Sequence, residues 1–301
     1  MSWLIIIISS YFLFALAALG DKYLLSGPPK SKIYSFYVGI LQILVLVLIP
    51  FVGFSIPGLL QLLFCLLAGA MYIFALLGLF EGLKHFEASR IIPAIGGFLP
   101  FFTFVLIYFF SGGKEILKFK EIFSFILLVL GSIFISYNPE KKISFKSLEI
   151  SAITAFLFSL SFILTKYVYL ALPFWTGFIW IRVGVFLITL FFIFFREVRK
   201  EIFSGVSAFS KKTSAFFLFN QGVGAGASIL QNWAVALAGF VYLSVINALQ
   251  GVQYAFLFIL SLLIASKFPR ILEEKTSKKI IFQKVFSILL IGIGLVFLAF
   301  S

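Results

Sequence analysis

The sequence predicts an all-α membrane protein: ten transmembrane helices in two inverted five-helix repeats. Three observations predict it. First, 62% of the 301 residues are hydrophobic and only 12% are charged, against roughly 45–50% and about 25% in soluble domains. One core cannot absorb that excess, because single cores stop growing beyond ~250–300 residues. Second, apolar runs of bilayer-spanning length recur along the chain. Third, two stretches of the first half reappear in the second.

Crossing the hydrocarbon core takes about 20 apolar residues. Ten segments qualify: Trp3–Leu19, Ile33–Phe51, Leu59–Phe80, Ile91–Phe110, Phe119–Tyr137, Ile150–Leu170, Phe174–Phe195, Ser214–Leu237, Phe240–Ala265 and Ile281–Phe300. Gly27 with Pro28 and Pro29, Pro57 with Gly58, Gly112 with Gly113, and Pro173 mark turns between them. The eighth and ninth segments meet at Ala238 and Gly239, the weakest boundary, and nine spans is the alternative count. The first segment lacks the basic n-region of a signal peptide, so it reads as a retained helix. Backbone groups in lipid must be paired internally, and runs without strict alternation exclude a barrel.

The net charge of +13 comes from Lys and Arg clustered between the apolar runs. Counting from the first connection, every other one holds nineteen of them and the opposite set holds four. The positive-inside rule puts the basic set (1–2, 3–4, 5–6, 7–8 and 9–10) in the cytoplasm of a cell in whose inner or plasma membrane the chain sits. The same rule explains the charge without nucleic acid. With one Cys and one His, neither a disulfide framework nor a His-rich metal site is expected, and no cofactor is implied.

Phe12–Tyr23 aligns without gaps to Phe156–Tyr167, with six of twelve positions identical, including the Lys-Tyr pair at the end. Phe119–Phe134 aligns to Phe282–Phe297, pairing Ser124 with Ser287 and Gly131 with Gly294. These matches fall in the first and fifth helix of each half. The units are therefore residues 1–140 and 141–301. Five helices is an odd number, so the second unit enters the membrane upside down, the arrangement that underlies alternating access.

The stretch Ala88–Pro100, then Gly113 to Glu115, then Phe119 to Ile122 and the run containing Gly131 resemble the EamA-type family of the drug/metabolite transporter superfamily. In the second half the loop Lys267–Glu274 is longer, and no proline matches Pro100. The resemblance implies a ten-helix carrier of small metabolites, often an exporter, and does not name the substrate.

Polar groups inside a membrane are costly and therefore informative. Arg182 lies deep in the seventh helix, where a guanidinium suits a carboxylate or phosphate or serves structurally. Gln42 holds the matching register in the second helix. Asn220, Gly224, Ser228 and Gln231 form a narrow stripe on the eighth helix, with Asn232 beside its end. Asn247, Gln250 and Tyr254 form another on the ninth. The two stripes are expected either to line a wet cavity or to bond helices together. Tyr72 and Trp180 are candidate aromatic walls, with Trp175 an interfacial anchor. Pro93, Gly96, Gly97 and Pro100 are expected to loosen the fourth helix as a hinge or kink. All eleven carboxylates read as lying in loops or at helix ends, so a proton relay is not expected.

The expected function is transport of small polar metabolites, amino-acid-like or similar organic solutes, with export by alternating access. The partners are the bilayer and a small-molecule substrate, the chain acting as monomer or homodimer. A flippase or carrier for lipid-linked or nucleotide-sugar molecules is the alternative. An integral-membrane enzyme or a scaffold is disfavoured, because no nucleophile–base pair or metal cluster is visible.

Overall fold

A computed structural model describes residues 2–25, 31–86, 88–114, 117–136, 145–203, 211–265 and 278–300. Among them the secondary structure is helical, with no strand. Helices run through all ten apolar segments, and their ends differ from those the apolar pattern suggests. The rods are α1 (Ser2–Leu25), α2 (Ser31–Leu41) continued as 3-10 helix over Gln42–Phe51, α3 (Leu59–His85), α4 (Ala88–Phe110) and α5 (Phe119–Ser136). Then come α6 (Phe145–Ala171), α7 (Phe174–Leu190) with a 3-10 end at Phe191–Phe194, the short α8 (Arg196–Phe203) and α9 (Lys211–Leu237). A 3-10 turn at Phe240–Tyr242 leads into α10 (Leu243–Ala248) and α11 (Gln250–Ala265), and α12 (Lys278–Ala299) ends the chain.

Seven of these helices are long and apolar enough to cross a membrane, and Ala94–Phe110 is a shorter apolar helix. α9 is not among the seven although it has 27 residues. Its Asn220, Gln221, Ser228, Gln231 and Asn232 dilute its hydropathy. Phe51, Phe119, Phe145 and Phe300 are all more than 80% exposed, amid an apolar surface far larger than water tolerates on a monomer. The protein is a multi-pass membrane protein, and this surface is its lipid face.

Local chemistry fixes the joints. Gly112 and Gly113 adopt φ of 61° and 76°, and the Gly113 N–H donates to the Tyr108 carbonyl at 2.9 Å. This left-handed glycine stop ends α4. Pro173 caps α7 after a two-residue turn from α6. Gly239, extended at φ −61°, separates α9 from the helix that follows, so the weakest boundary in the sequence is a true break. The ninth segment is not one helix: Leu249 interrupts it between α10 and α11. The tracts at Gly27–Pro29 and Lys267–Glu274, and Glu115, lie outside the described residues.

α1 packs along α9, α6 along α3 and α4, α5 along α12, and α3 along α7. α11 crosses α1 and α5, and α10 crosses α4. At the α3–α7 crossing backbone meets backbone. A Cβ on Gly69 would lie 2.5 Å from the Val185 nitrogen, and one on Gly184 would lie 2.9 Å from Leu66 Cα. Backbones in lipid associate through such small-residue contacts. Gly69→Ala is expected to destabilise the purified protein by about 1–3 kcal/mol, read as a lowered thermal midpoint. Gly222→Ala, where nothing lies within 4 Å, should leave the midpoint unchanged.

Candidate functional site

Arg182 is the ninth residue of α7 and only 5% exposed. The α3–α7 crossing sets its surroundings. Tyr72 sits three residues beyond Gly69 on α3, and its ring lies 5.1 Å from the guanidinium carbon. Phe178, one turn before Arg182, contributes a second ring at 4.9 Å. Arg182 donates from Nη1 to Gln42 Oε1 at 3.4 Å and from Nη2 to Ser228 Oγ. Both acceptors are neutral, and among the described residues no carboxylate comes within ion-pair distance. A buried cation of this kind is held by dipoles and π-faces alone, a costly arrangement unless a counter-charge arrives.

The polar groups extend from Arg182 along α9. Asn232 donates to the Ser228 carbonyl at 2.8 Å and accepts from the Tyr169 hydroxyl at 2.9 Å. Gln231 bonds the Tyr11 hydroxyl, which itself donates to the Ile246 carbonyl at 2.6 Å. That carbonyl adjoins Asn247, where the second stripe begins. Asn247 donates to Thr103 Oγ1 at 2.8 Å, and Thr103 in turn donates to the Leu99 carbonyl at 2.8 Å. The Thr103 hydroxyl thus requires the amide nitrogen of Asn247 and leaves Oδ1 facing away. Asn247 Oδ1 and Gln250 Oε1 are buried acceptors without a hydrogen-bond partner among the described residues. They flank the Leu249 break, where orphaned groups call for a bound donor.

The remaining expected residues lie apart from Arg182. Asn220 donates to the Ala17 carbonyl at 3.1 Å and to Asp21 Oδ1 at 2.7 Å, and Gly224 faces Ala17. The stripe on α9 therefore divides, its first half against α1 and Ser228 on Arg182. Trp180 donates to the Ser55 carbonyl at 3.1 Å and stacks on Phe54, which ties it to the segment between the second and third rods. Tyr254 packs its ring over Gly96, where a Cβ would come within 3.2 Å. Gly97 faces Ile133 and Pro100 is buried. These two glycines admit neighbouring helices within an unbroken α4. The side chain of Pro93 lies outside the described residues.

Two groups escaped the sequence reading. Asp21 reads from sequence as lying in a loop or at a helix end, but α1 continues to Leu25 and sets it, half-buried, against α2 and α9. Lys166, 3% exposed, donates to the carbonyls of Val235, Ala236 and Ala238 at 3.1, 3.0 and 2.5 Å. It thereby caps the free carbonyls at the C-terminal end of α9, where positive charge is favoured. The signal for Asp21 was present in Gly27 and Pro28, which stop a helix better than a change in hydropathy does. An apolar groove of about 350 Å³ also opens on the surface, lined by Ile8, Ser9, Phe12, Leu13, Leu230 and Phe256. Among the described residues no group of three or more His, Cys, Asp or Glu comes together.

No protein-family model matches the chain, and no curated protein matches it. Twenty-seven chains of solved structures match it. One, described as "Crystal structure of protein", is 12% identical over 98% of this chain and 96% of its own, with a TM-score of 0.68. At that identity the likeness shows a shared fold over the whole length and nothing of activity.

Lys166→Met is expected to leave the α9 carbonyls unpaired and to cost about 2 kcal/mol of stability. A thermal melt of the purified protein in detergent would show it as an earlier transition, whereas the exposed Lys120→Met should melt like the parent.

Proposed function

We propose that the chain is a transporter of small polar metabolites, with Arg182 receiving an anionic group of the cargo. The carrying observation is the guanidinium itself: buried, aromatic-walled and bonded only to neutral acceptors among the described residues. A carboxylate or phosphate would supply the missing counter-charge through charge-assisted hydrogen bonds. The orphaned oxygens of Asn247 and Gln250 add acceptors for a donor-bearing part of the cargo, and Gln231 and Tyr11 link the two places.

The proposed architecture is ten crossings in two inverted repeats, residues 1–140 and 141–301, as in the EamA-type carriers that the sequence resembles. Reciprocal contacts support it. The register that pairs Gly131 with Gly294 also pairs Leu128 with Ile291. A Cβ on Gly131 would meet Ile291 at 2.6 Å, and one on Gly294 would meet Leu128 at 3.0 Å. α1 lies on α9 as α6 lies on α3, the same pairing with the halves exchanged. Gln42 and Arg182, at matching registers, bond each other, as residues near a two-fold axis must. Alternating access then consists of one half rocking on the other about this central contact. The basic loops face the cytoplasm in this arrangement, and the direction is outward.

The surface groove between α1, α9 and α11 favours one further reading, a carrier of lipid-linked molecules whose acyl part rests there. Its apolar lining suits a chain and offers no charge to a headgroup.

Proteoliposomes loaded with a radiolabelled amino-acid pool test the proposal. Wild-type protein should release label, and Arg182→Gln should weaken affinity for the released species about 10- to 100-fold. Unchanged affinity for every transported anion would remove Arg182 from the binding site.

A further inference from the structure

Asp21 is a carboxylate within α1 whose bonds run to both halves of the chain. Its Oδ1 accepts from Tyr34 of α2 at 2.5 Å, from Asn220 of α9 at 2.7 Å and from Gln221 of α9 at 3.4 Å. Tyr34 and Gln221 lie 3.4 Å apart and close the ring. The approach of Asn220 is built into the backbone: a Cβ on Gly20 would lie 2.0 Å from Asn220 Oδ1, so only glycine admits the amide here. Tyr34 also joins the ring to an apolar plug of Leu24, Val38, Phe80 and Phe217.

Three donors converge on one oxygen, and all three are neutral. Among the described residues no cation lies within ion-pair distance of Asp21. The titratable groups facing it are few. α2 brings Tyr34, while its Lys32 pairs with Glu197. Among the described side chains α9 brings only the amides of Asn220 and Gln221, those of Lys211 and Lys212 lying outside them. α11 brings Tyr254, which lies nearer Tyr11, ten residues back along α1. Glu81 and His85 of α3 bond each other, and Glu81 also accepts from Ser31 at the start of α2. The Lys22 side chain lies outside the described residues.

We propose that Asp21 is the proton-binding group that couples movement of the two halves to a proton gradient. Ionised, it draws the hydroxyl of Tyr34 and the amides of Asn220 and Gln221 onto Oδ1 and latches α1, α2 and α9 together. A proton from solvent bonds to the carboxylate at Oδ2, and the charge that strengthened all three hydrogen bonds is gone. The latch then loosens and the plug opens. The same O–H bond breaks when the group meets the opposite side. The coupling rests on the carrier reading above, but proton binding and latch opening do not need Arg182.

Two measurements test it without any cargo. Infrared titration of protein in lipid should show, in the difference spectrum between the parent and Asp21→Asn, one protonated-carboxyl carbonyl band growing on acidification over that of the other ten side-chain carboxyls. Asp21→Asn should lack that band, and Arg182→Gln should keep it. Tyr34→Phe, which takes one donor from the ionised form, should make the band appear at pH higher by about one unit. A wild-type spectrum without the band, a band that survives Asp21→Asn, or an unmoved band in Tyr34→Phe overturns the proposal.

In a Cys65→Ala background, Leu24→Cys reports the plug, since Leu24 is 2% exposed. Adding Asp21→Asn, a mimic of the protonated form, should raise maleimide labelling of that cysteine about tenfold at constant pH, while equal rates overturn the latch. Arg182→Gln should leave labelling unchanged. A failed cargo assay with both signatures present therefore counts against the Arg182 reading and leaves Asp21 standing.

Discussion

Charge inside an apolar bundle is the constraint that orders this molecule. A guanidinium within a membrane-spanning helix loses its water, and neighbouring dipoles must replace it. Arg182 achieves this by drawing four rods to one point: Gln42 from the second, Tyr72 from α3, Phe178 from its own helix and Ser228 from α9. The two glycines at the α3–α7 crossing exist in service of the same point, because a wider crossing would withdraw the Tyr72 ring. Packing and polarity here are one problem solved together.

α9 links three charges of the bundle. Asn220 and Gln221 meet Asp21 on its first half, Ser228 meets Arg182 midway, and Lys166 caps its last carbonyls. Eight residues separate Asn220 from Ser228, a rise of about 12 Å. The helix that is too polar to count as a span by hydropathy is the one that the ionic groups of three other helices grip. Its polarity is thus taken up by these contacts, and a displacement of α9 is felt at all three.

Much of the fold was legible in the sequence. Apolar runs located every long helix, and Gly112, Gly113, Pro173 and Gly239 marked real joints. Helix ends were less legible, because hydropathy reports where lipid is and hydrogen bonding reports where a helix stops. Asp21 and Lys22 fall in that gap: polar by composition, yet still within α1. The break at Leu249 was invisible, since a leucine among apolar neighbours carries no signal of interruption. The site was legible in part. Arg182, Gln42 and Ser228, three of the candidate residues, come together. Trp180 turns to the Ser55 carbonyl, and Asn220 turns to α1. Angular position on one helix says nothing of which neighbour stands opposite, and that is a tertiary fact.

The second rod is wound in two ways, α up to Leu41 and 3-10 from Gln42 to Phe51. Ten residues wound as 3-10 rise about 20 Å, against about 15 Å as α. Rewinding that stretch as α would retract its far end by about 5 Å and twist it by about 200°. A rod with such a tail behaves as a screw whose thread changes at Gln42, the residue that holds Arg182. Any such rewinding would carry translation of the rod's far end and rotation about its axis together.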